Sequence, residues 1–235
     1  MKKYNYFGYN DLSIYVSDDT VKYTSGTFLP TGILWENLSI FNFFKDVKLE
    51  KSYNIIDIGA QSGLYSLFAK FLTKSNFYAF EPYPLTYNLL VDNLRLNNIQ
   101  NVETFNIGIS NTKEKKILNI CDHNNGFNTL GDNVLRFDVF DKIEVNTDTI
   151  DNLFYDKNIR VDYIKIDTEG WEYFVLKGAE KTIKKDRPII QIEWNEENAK
   201  QCNVKKIDLE KLLEEYKYSI KHKDDRHEEL LLEPY

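Results

Sequence analysis

Cysteine occurs only twice in the 235 residues, at Cys121 and Cys202, which excludes a disulfide scaffold and a zinc knuckle. A reducing, cytosolic setting is the simplest reading of that scarcity. No stretch approaches the ~18 apolar residues of a membrane span. The start, Met1-Lys2-Lys3-Tyr4-Asn5-Tyr6, is too polar for the apolar segment of a secretory leader. A cytoplasmic protein is therefore expected, with no membrane insertion. Positive charge is in deficit, with 30 Lys and Arg against 37 Asp and Glu and a net charge of −7. That balance argues against a protein that binds nucleic acid chiefly by neutralising phosphates. Arg and Ala, five each, are rare beside 25 Lys and 24 Asn, a codon bias of AT-rich bacterial, protist or large viral genomes. Apolar and aromatic residues are plentiful, at 42% and 14%. They suffice for one full-sized core and exclude a disordered chain.

Hydrophobic periodicity organises the rest. Tyr4–Tyr9 and Leu12–Val16 are expected as short strands split by the turn signal Asn10-Asp11, and Ile33–Phe44 as a helix. Strands at Asn54–Ile58, Phe77–Phe80 and Val102–Ile107 then alternate with helices at Leu64–Leu72 and Pro84–Leu96. That order is the signature of a parallel sheet with helices on its faces. Strands at Lys116–Ile120 and Lys142–Asn146 and a short helix at Thr149–Phe154 interrupt it. It resumes with strand Tyr163–Ile166, helix Trp171–Ile183, strand Ile189–Trp194 and helix Ile207–Tyr216. Tyr218–Ile220 and Glu229–Leu232 are expected as a closing hairpin. The organisation expected is an extension over residues 1–50 packing on an α/β domain over residues 51–235.

Three motifs carry chemistry. Asp57-Ile58-Gly59-Ala60-Gln61-Ser62-Gly63 lies between a strand and a helix, where glycines let the backbone approach a ligand and free N–H groups are offered. Its G-x-x-x-G spacing disfavours a dinucleotide loop, and with it a NAD-linked or nucleotide-sugar enzyme. Glu81 ends the next strand, at the crevice outside the carboxyl ends of the sheet. Its two oxygens can accept from both hydroxyls of a ribose; the competing role is a cap on the helix near Pro84. Lys165-Ile166-Asp167-Thr168-Glu169-Gly170-Trp171-Glu172 places charged groups at the end of an apolar strand, with Lys165 and Asp167 on one face. Such groups pair or line a site. Lys165 is read equally as a catalytic group and as the structural partner of a carboxylate, while Asp167 and Glu169 are assigned to the site.

These blocks give a sequence that resembles the FkbM-type S-adenosylmethionine-dependent methyltransferases from about Thr31 to Trp194. The resemblance rests on Asn54–Gly63, Ala79-Phe80-Glu81-Pro82, Thr147-Asp148-Thr149-Ile150-Asp151, Val161–Leu176 with Gly178-Ala179, Arg187-Pro188 and Glu193. Gln61 stands where the family more often has Asn. Trp171 stands where a small residue is commoner, and is expected to reshape the wall near the substrate. The resemblance implies a class I methyltransferase fold: a Rossmann-like, seven-stranded, mostly parallel sheet flanked by helices, with an antiparallel last hairpin. It implies S-adenosylmethionine as cofactor, lined by Glu36, Asp57, Gly59, Ala60, Gln61, Gly63, Glu81, Pro82 and Ile107. It also implies methylation of a hydroxyl on a sugar or other small-molecule or glycan acceptor. The reading from another class is an inactive scaffold used as a binding module.

The methyl group of a sulfonium is already activated, so the protein has to align an acceptor hydroxyl and remove its proton. Asp167 is the first candidate base and Glu193, ending the next strand, the second. The two carboxylates could instead hold Mg²⁺ or Mn²⁺. His123, in a polar loop, is the third candidate, and Asn124–Thr129 is suited to a lid or to sugar contacts. His222 and His227 are read as surface residues, and both cysteines as inert.

Overall fold

The computed structural model describes residues 2–5, 13–16, 18, 37–121, 126–132, 134, 138–224 and 228–235. Glu36, His123 and His227 lie outside the described residues. Two short strands, β1 (Lys2–Asn5) and β2 (Ser13–Val16), pair antiparallel and precede helix α1 (Asn37–Phe44). β3 (Asn54–Ile58), β4 (Asn76–Phe80), α2 (Pro84–Leu96) and β5 (Val102–Phe105) follow. β6 (Gly108–Ile109), β7 (Lys115–Cys121) and β8 (Val139–Asp148) form a separate sheet in the order β6-β8-β7. The chain continues with β9 (Tyr163–Ile166), α3 (Glu172–Lys177), α4 (Glu180–Asp186), β10 (Ile189–Glu193) and α5 (Glu196–Gln201). It ends with α6 (Lys206–Tyr216), β11 (Tyr218–Asp224) and β12 (Glu229–Pro234).

The main sheet has the order β11-β12-β10-β9-β3-β4-β5. From β10 to β5 all neighbours run parallel, while β12 is antiparallel to β10 and β11. The seven-stranded sheet and closing hairpin therefore match the expectation. From β3 the chain winds outward through β4 and β5, then returns to β9 on the other flank. The switch point between β3 and β9 opens a crevice at the carboxyl ends of the strands.

Both faces of the sheet are covered, which is why its strands are apolar runs without alternation. Ile56, Ile58, Ile164, Ile166, Ile190 and Ile192 enter one core layer, and Ile55, Phe77 and Tyr163 the other. Each of those isoleucines is at most 1% exposed, a burial worth ~1.5–3 kcal/mol per side chain. Helix α1 adds Ile40, Phe43 and Phe44 to the second layer, with Phe44 stacked on Phe68 at 4.1 Å.

Three local expectations change. The helix expected over Leu64–Leu72 is a 3-10 turn, Ser66–Lys70, because the Asp57 carboxylate takes both the N–H and hydroxyl of Ser66 and delays the start. The helix expected over Trp171–Ile183 is broken into α3 and α4. Gly178 rests on the Ser110 carbonyl, 2.0 Å from where a Cβ would sit, and the Asp151 carboxylate caps α4 through the N–H groups of Lys181 and Thr182. Helix α5 is new. Asn195 caps it through the N–H groups of Glu197 and Asn198, and its sequence carries no apolar stripe for periodicity to detect. Among the described residues no helix is long and apolar enough to cross a membrane.

Candidate active site

Parallel register builds the site. Asp57 on β3, Lys165 on β9 and Gln191 on β10 are adjacent partners, so they form a polar row across one face of the sheet. Lys165 is 5% exposed. Its Nζ donates to the Gly59 carbonyl at 3.0 Å and lies 3.7 Å from Asp57 and 3.3 Å from Asp167. The structural pairing considered for Lys165 is therefore present, and with two carboxylates rather than one. Gln191 donates to the Tyr65 hydroxyl at 2.5 Å and to Glu229.

The glycine turn is held from beneath. Gly59 and Ala60 donate to the Phe80 carbonyl at 3.0 Å each. Gln61, at φ +48°, donates from its backbone to Glu81 Oε2 at 2.8 Å. Gly59 has φ +70°, and a Cβ there would lie 1.7 Å from the carbonyl oxygen of Asp167. The contact between the β3 and β9 ends thus demands a glycine at this position. At Gly63 a Cβ would meet Leu90 at 2.5 Å.

Glu81 ties down the start of α2. Its Oε1 accepts from the Tyr83 N–H and the Thr86 hydroxyl, both at 2.9 Å, at the start of α2. Burial raises its carboxyl above the ordinary range, opposed by those bonds. Burial also raises Asp57, opposed by Lys165 and Ser66. Pro82 and Ile107 are half-buried beyond the strand end. Asn106 donates to the carbonyls of Glu81 and Pro82 and so ties that segment down.

At the ends of β9 and β10, carboxylate oxygens of Asp167, Glu169 and Glu193 lie within 4.8 Å of one another. Burial, then the charges of Glu169, Asp167, Glu172 and Glu229, push Glu193 well above the usual carboxylate range. The turn carrying Glu169 is strained, with Glu169 at φ +54° and Gly170 at φ +103°. Glu172 holds it from below by accepting at Oε1 from the N–H groups of Thr168 and Gly170 and from the Thr168 hydroxyl. Burial pushes the Glu172 carboxyl up to about 7. Trp171 is 7% exposed, stacks on Phe174 and donates to Ser110 Oγ at 3.1 Å. It belongs to the core.

A family model described as the methyltransferase FkbM domain matches residues 57–220. The chain belongs to the FkbM methyltransferase family. No curated protein matches it. Among solved structures it is similar to the methyltransferase FkbM from Methylobacillus flagellatus KT, at 20% identity and a TM-score of 0.53, covering 83% of this chain and 47% of that one. This chain thus spans about half the length of that protein. It is also similar to precorrin-6y C5,15-methyltransferase from Geobacter metallireducens GS-15, at 14% identity and a TM-score of 0.50, covering 93% and 96% of the two chains. A third is ribosomal protein L11 methylase from Lactobacillus delbrueckii subsp. bulgaricus, at 12% identity and a TM-score of 0.51, covering 85% and 78%. At these identities the likeness shows the fold, a class I methyltransferase sheet.

The family implies S-adenosylmethionine, and the residues of the FkbM domain fit it. Among the described residues, Asp57, Glu81, Asp167, Glu169 and Glu193 outnumber Lys165 at the strand ends, which suits a ligand carrying a sulfonium and an ammonium. Glu81 receives three donors on oxygens with about four lone-pair sites, which leaves room for a ligand hydroxyl. Asp57 Oδ1 is buried without a hydrogen-bond donor.

Pattern reading included Glu172 in a motif without giving it a role, and gave none to Gln191, Asn198 and Glu229. Asn195-Glu196-Glu197, a capping residue before an acidic first turn, is the signal that could have found α5 and Asn198.

Proposed function

We propose that this chain is an S-adenosylmethionine-dependent O-methyltransferase acting on a hydroxyl of a sugar or glycan-type acceptor. The observation that carries the reading is the convergence of Asp167, Glu169 and Glu193 beside the glycine turn. The Gly59–Gly63 turn, Asp57 and Glu81 would hold the cofactor, with Ala60, Pro82 and Ile107 along the same crevice. When bound, the sulfonium supplies an activated methyl group. The chain has to orient the acceptor and take its proton, because a neutral hydroxyl is a poor nucleophile. Asp167, 27% exposed at its side chain and paired with Lys165, would receive that proton. Glu193 and Glu169 beside it favour uptake of positive charge.

A second reading uses the same three oxygens as ligands for Mg²⁺ or Mn²⁺, which would lower the acceptor's pKa instead. Calorimetric titration with S-adenosylmethionine, S-adenosylhomocysteine and NAD tests the cofactor, with NAD expected not to bind. A methyl-transfer screen over sugars, with and without EDTA, tests the rest. Activity unaffected by EDTA supports the carboxylate base, and loss restored by Mg²⁺ or Mn²⁺ supports the metal. Cofactor binding with no transfer to any hydroxyl would point to the inactive binding module.

A further inference from the structure

We propose that Asn198, on α5, is a positioning residue that holds the Glu169 carboxylate at the β9–β10 strand ends for turnover of the acceptor; this rests on the O-methyltransferase reading above. Asn198 is 2% exposed. Its Nδ2 donates to Glu169 Oε2 at 2.6 Å, and its Oδ1 accepts from Gln201 Nε2 at 3.2 Å. The second bond decides the first. An amide that accepts from Gln201 at its oxygen presents its nitrogen to Glu169.

The helix is seated on the turn it serves. Asn195 Oδ1 accepts from the N–H groups of Glu197 and Asn198 at 2.8 and 3.0 Å. The Asn198 carbonyl lies 2.3 Å from where a Cβ on Gly170 would stand, so the α5 backbone rests directly on the strained turn. The backbone of that turn is fixed independently. The Glu169 carbonyl accepts from Thr129 Oγ1 at 2.8 Å, and Glu172 holds Thr168 and Gly170. Asn198 acts on the side chain. Asp167 and Glu193 repel Glu169, and a side chain free to turn would leave them. A lysine in this place would hold Glu169 and also neutralise it. An amide holds it by a hydrogen bond and adds no charge of its own.

The test measures methyl transfer to the hydroxyl acceptor found in the sugar panel, S-adenosylhomocysteine binding by calorimetry, and Tm, for Asn198→Ala and Asn198→Asp. We expect kcat to fall ~10–100-fold, the size of loss that a misplacement of about 1 Å produces. The KM for S-adenosylmethionine and the affinity for S-adenosylhomocysteine should stay within about two-fold, the pattern of an interaction that serves turnover and not cofactor binding. Glu169→Gln should lower kcat likewise, and Glu169→Gln with Asn198→Ala no further, because the amide acts through that carboxylate. Unchanged kcat in folded Asn198→Ala, or losses that multiply in the double variant, overturns the proposal and leaves the O-methyltransferase reading intact. A parallel loss of S-adenosylhomocysteine affinity overturns it too, since α5 would then support the whole crevice. Wild-type protein that binds S-adenosylhomocysteine and methylates no hydroxyl overturns both. Where Asn198→Ala does not fold, Asn198→Ser, which keeps a small polar side chain under α5, is judged by the same measurements.

Discussion

The two flanks of the crevice treat their carboxylates in opposite ways. On the β3–β4 flank Glu81 accepts three hydrogen bonds, and Asp57 accepts two from Ser66 with Lys165 alongside. On the β9–β10 flank the Glu193 carboxylate receives no donor among the described residues and faces Glu169, Asp167, Glu172 and Glu229. A carboxylate held by fixed donors is part of a frame. One left among like charges is stabilised by whatever brings positive charge, whether a proton, a cation or the proton of a hydroxyl. The first flank is therefore built to be still, and the second to react. Lys165 joins them, reaching Gly59 and Asp57 on one side and Asp167 on the other.

The sharpest way to break this comparison is to separate the flanks. Gly59→Ala sets a Cβ 1.7 Å from the Asp167 carbonyl at a φ of +70°. We expect destabilisation of about 4 kcal/mol or failure to fold, the range of backbone strain combined with overpacking. Urea unfolding measures it, and a loss below about 1 kcal/mol would mean that the flanks are not in fixed contact.

Glu172 comes next, because it frames the reactive flank. Its folded carboxyl titrates near 7 and its unfolded one near 4.5. The folded state holds the extra proton between those values. Stability from this group is complete below about pH 4.5 and is lost as pH rises through 7, by about 3 kcal/mol. Glu172→Gln keeps an oxygen for Thr168 and Gly170 and removes the titration. The drop in unfolding free energy between pH 4.5 and 8 should shrink by about that amount. An unaltered drop would place Glu172 with the ordinary carboxylates.

Asp167→Asn addresses the chemistry. Turnover should fall at least ~100-fold, the low end for a general base, while S-adenosylhomocysteine affinity changes little. The amide keeps the shape and removes the negative charge that Lys165 meets at 3.3 Å. Near-normal turnover on the true acceptor would reduce Asp167 to a partner of Lys165 and move proton removal elsewhere.

What the sequence made legible follows from the range over which each feature is determined. Ile55–Ile58, Ile164–Ile166 and Ile190–Ile192 announce strands because burial on both faces imposes an apolar run. The glycine turn, Glu81 and Asp167 were legible because they stand at the ends of those runs. Lys165 stayed ambiguous because its partner Asp57 is 108 positions away and only parallel register brings them together. The role of Asn198 was hidden for the same reason, in a helix too short and polar to show a period and marked only by its Asn195 cap. The carbonyl of Asp167 beside Gly59 was not legible, since a glycine beside a ligand and a glycine beside a carbonyl look alike in one dimension.

The smallest expected effect tests whether the still flank also touches the cofactor. Glu81→Ala should weaken S-adenosylhomocysteine binding by ~1–3 kcal/mol, the worth of a charge-assisted hydrogen bond. Part of any loss comes from freeing Gln61, Tyr83 and Thr86, which the carboxylate now holds. A ligand change separates the two contributions. If Glu81 meets a ribose hydroxyl, the deoxyribose analogue of S-adenosylhomocysteine should bind wild type more weakly than the full ligand does, by at most the loss seen in Glu81→Ala. The combination of variant and analogue should then lose little more, because the same bond cannot be removed twice. If the losses add, Glu81 only holds the turn and the α2 start, and the ribose is bound elsewhere in the crevice. In that event the flank is frame alone, and the contrast with β9 and β10 becomes complete.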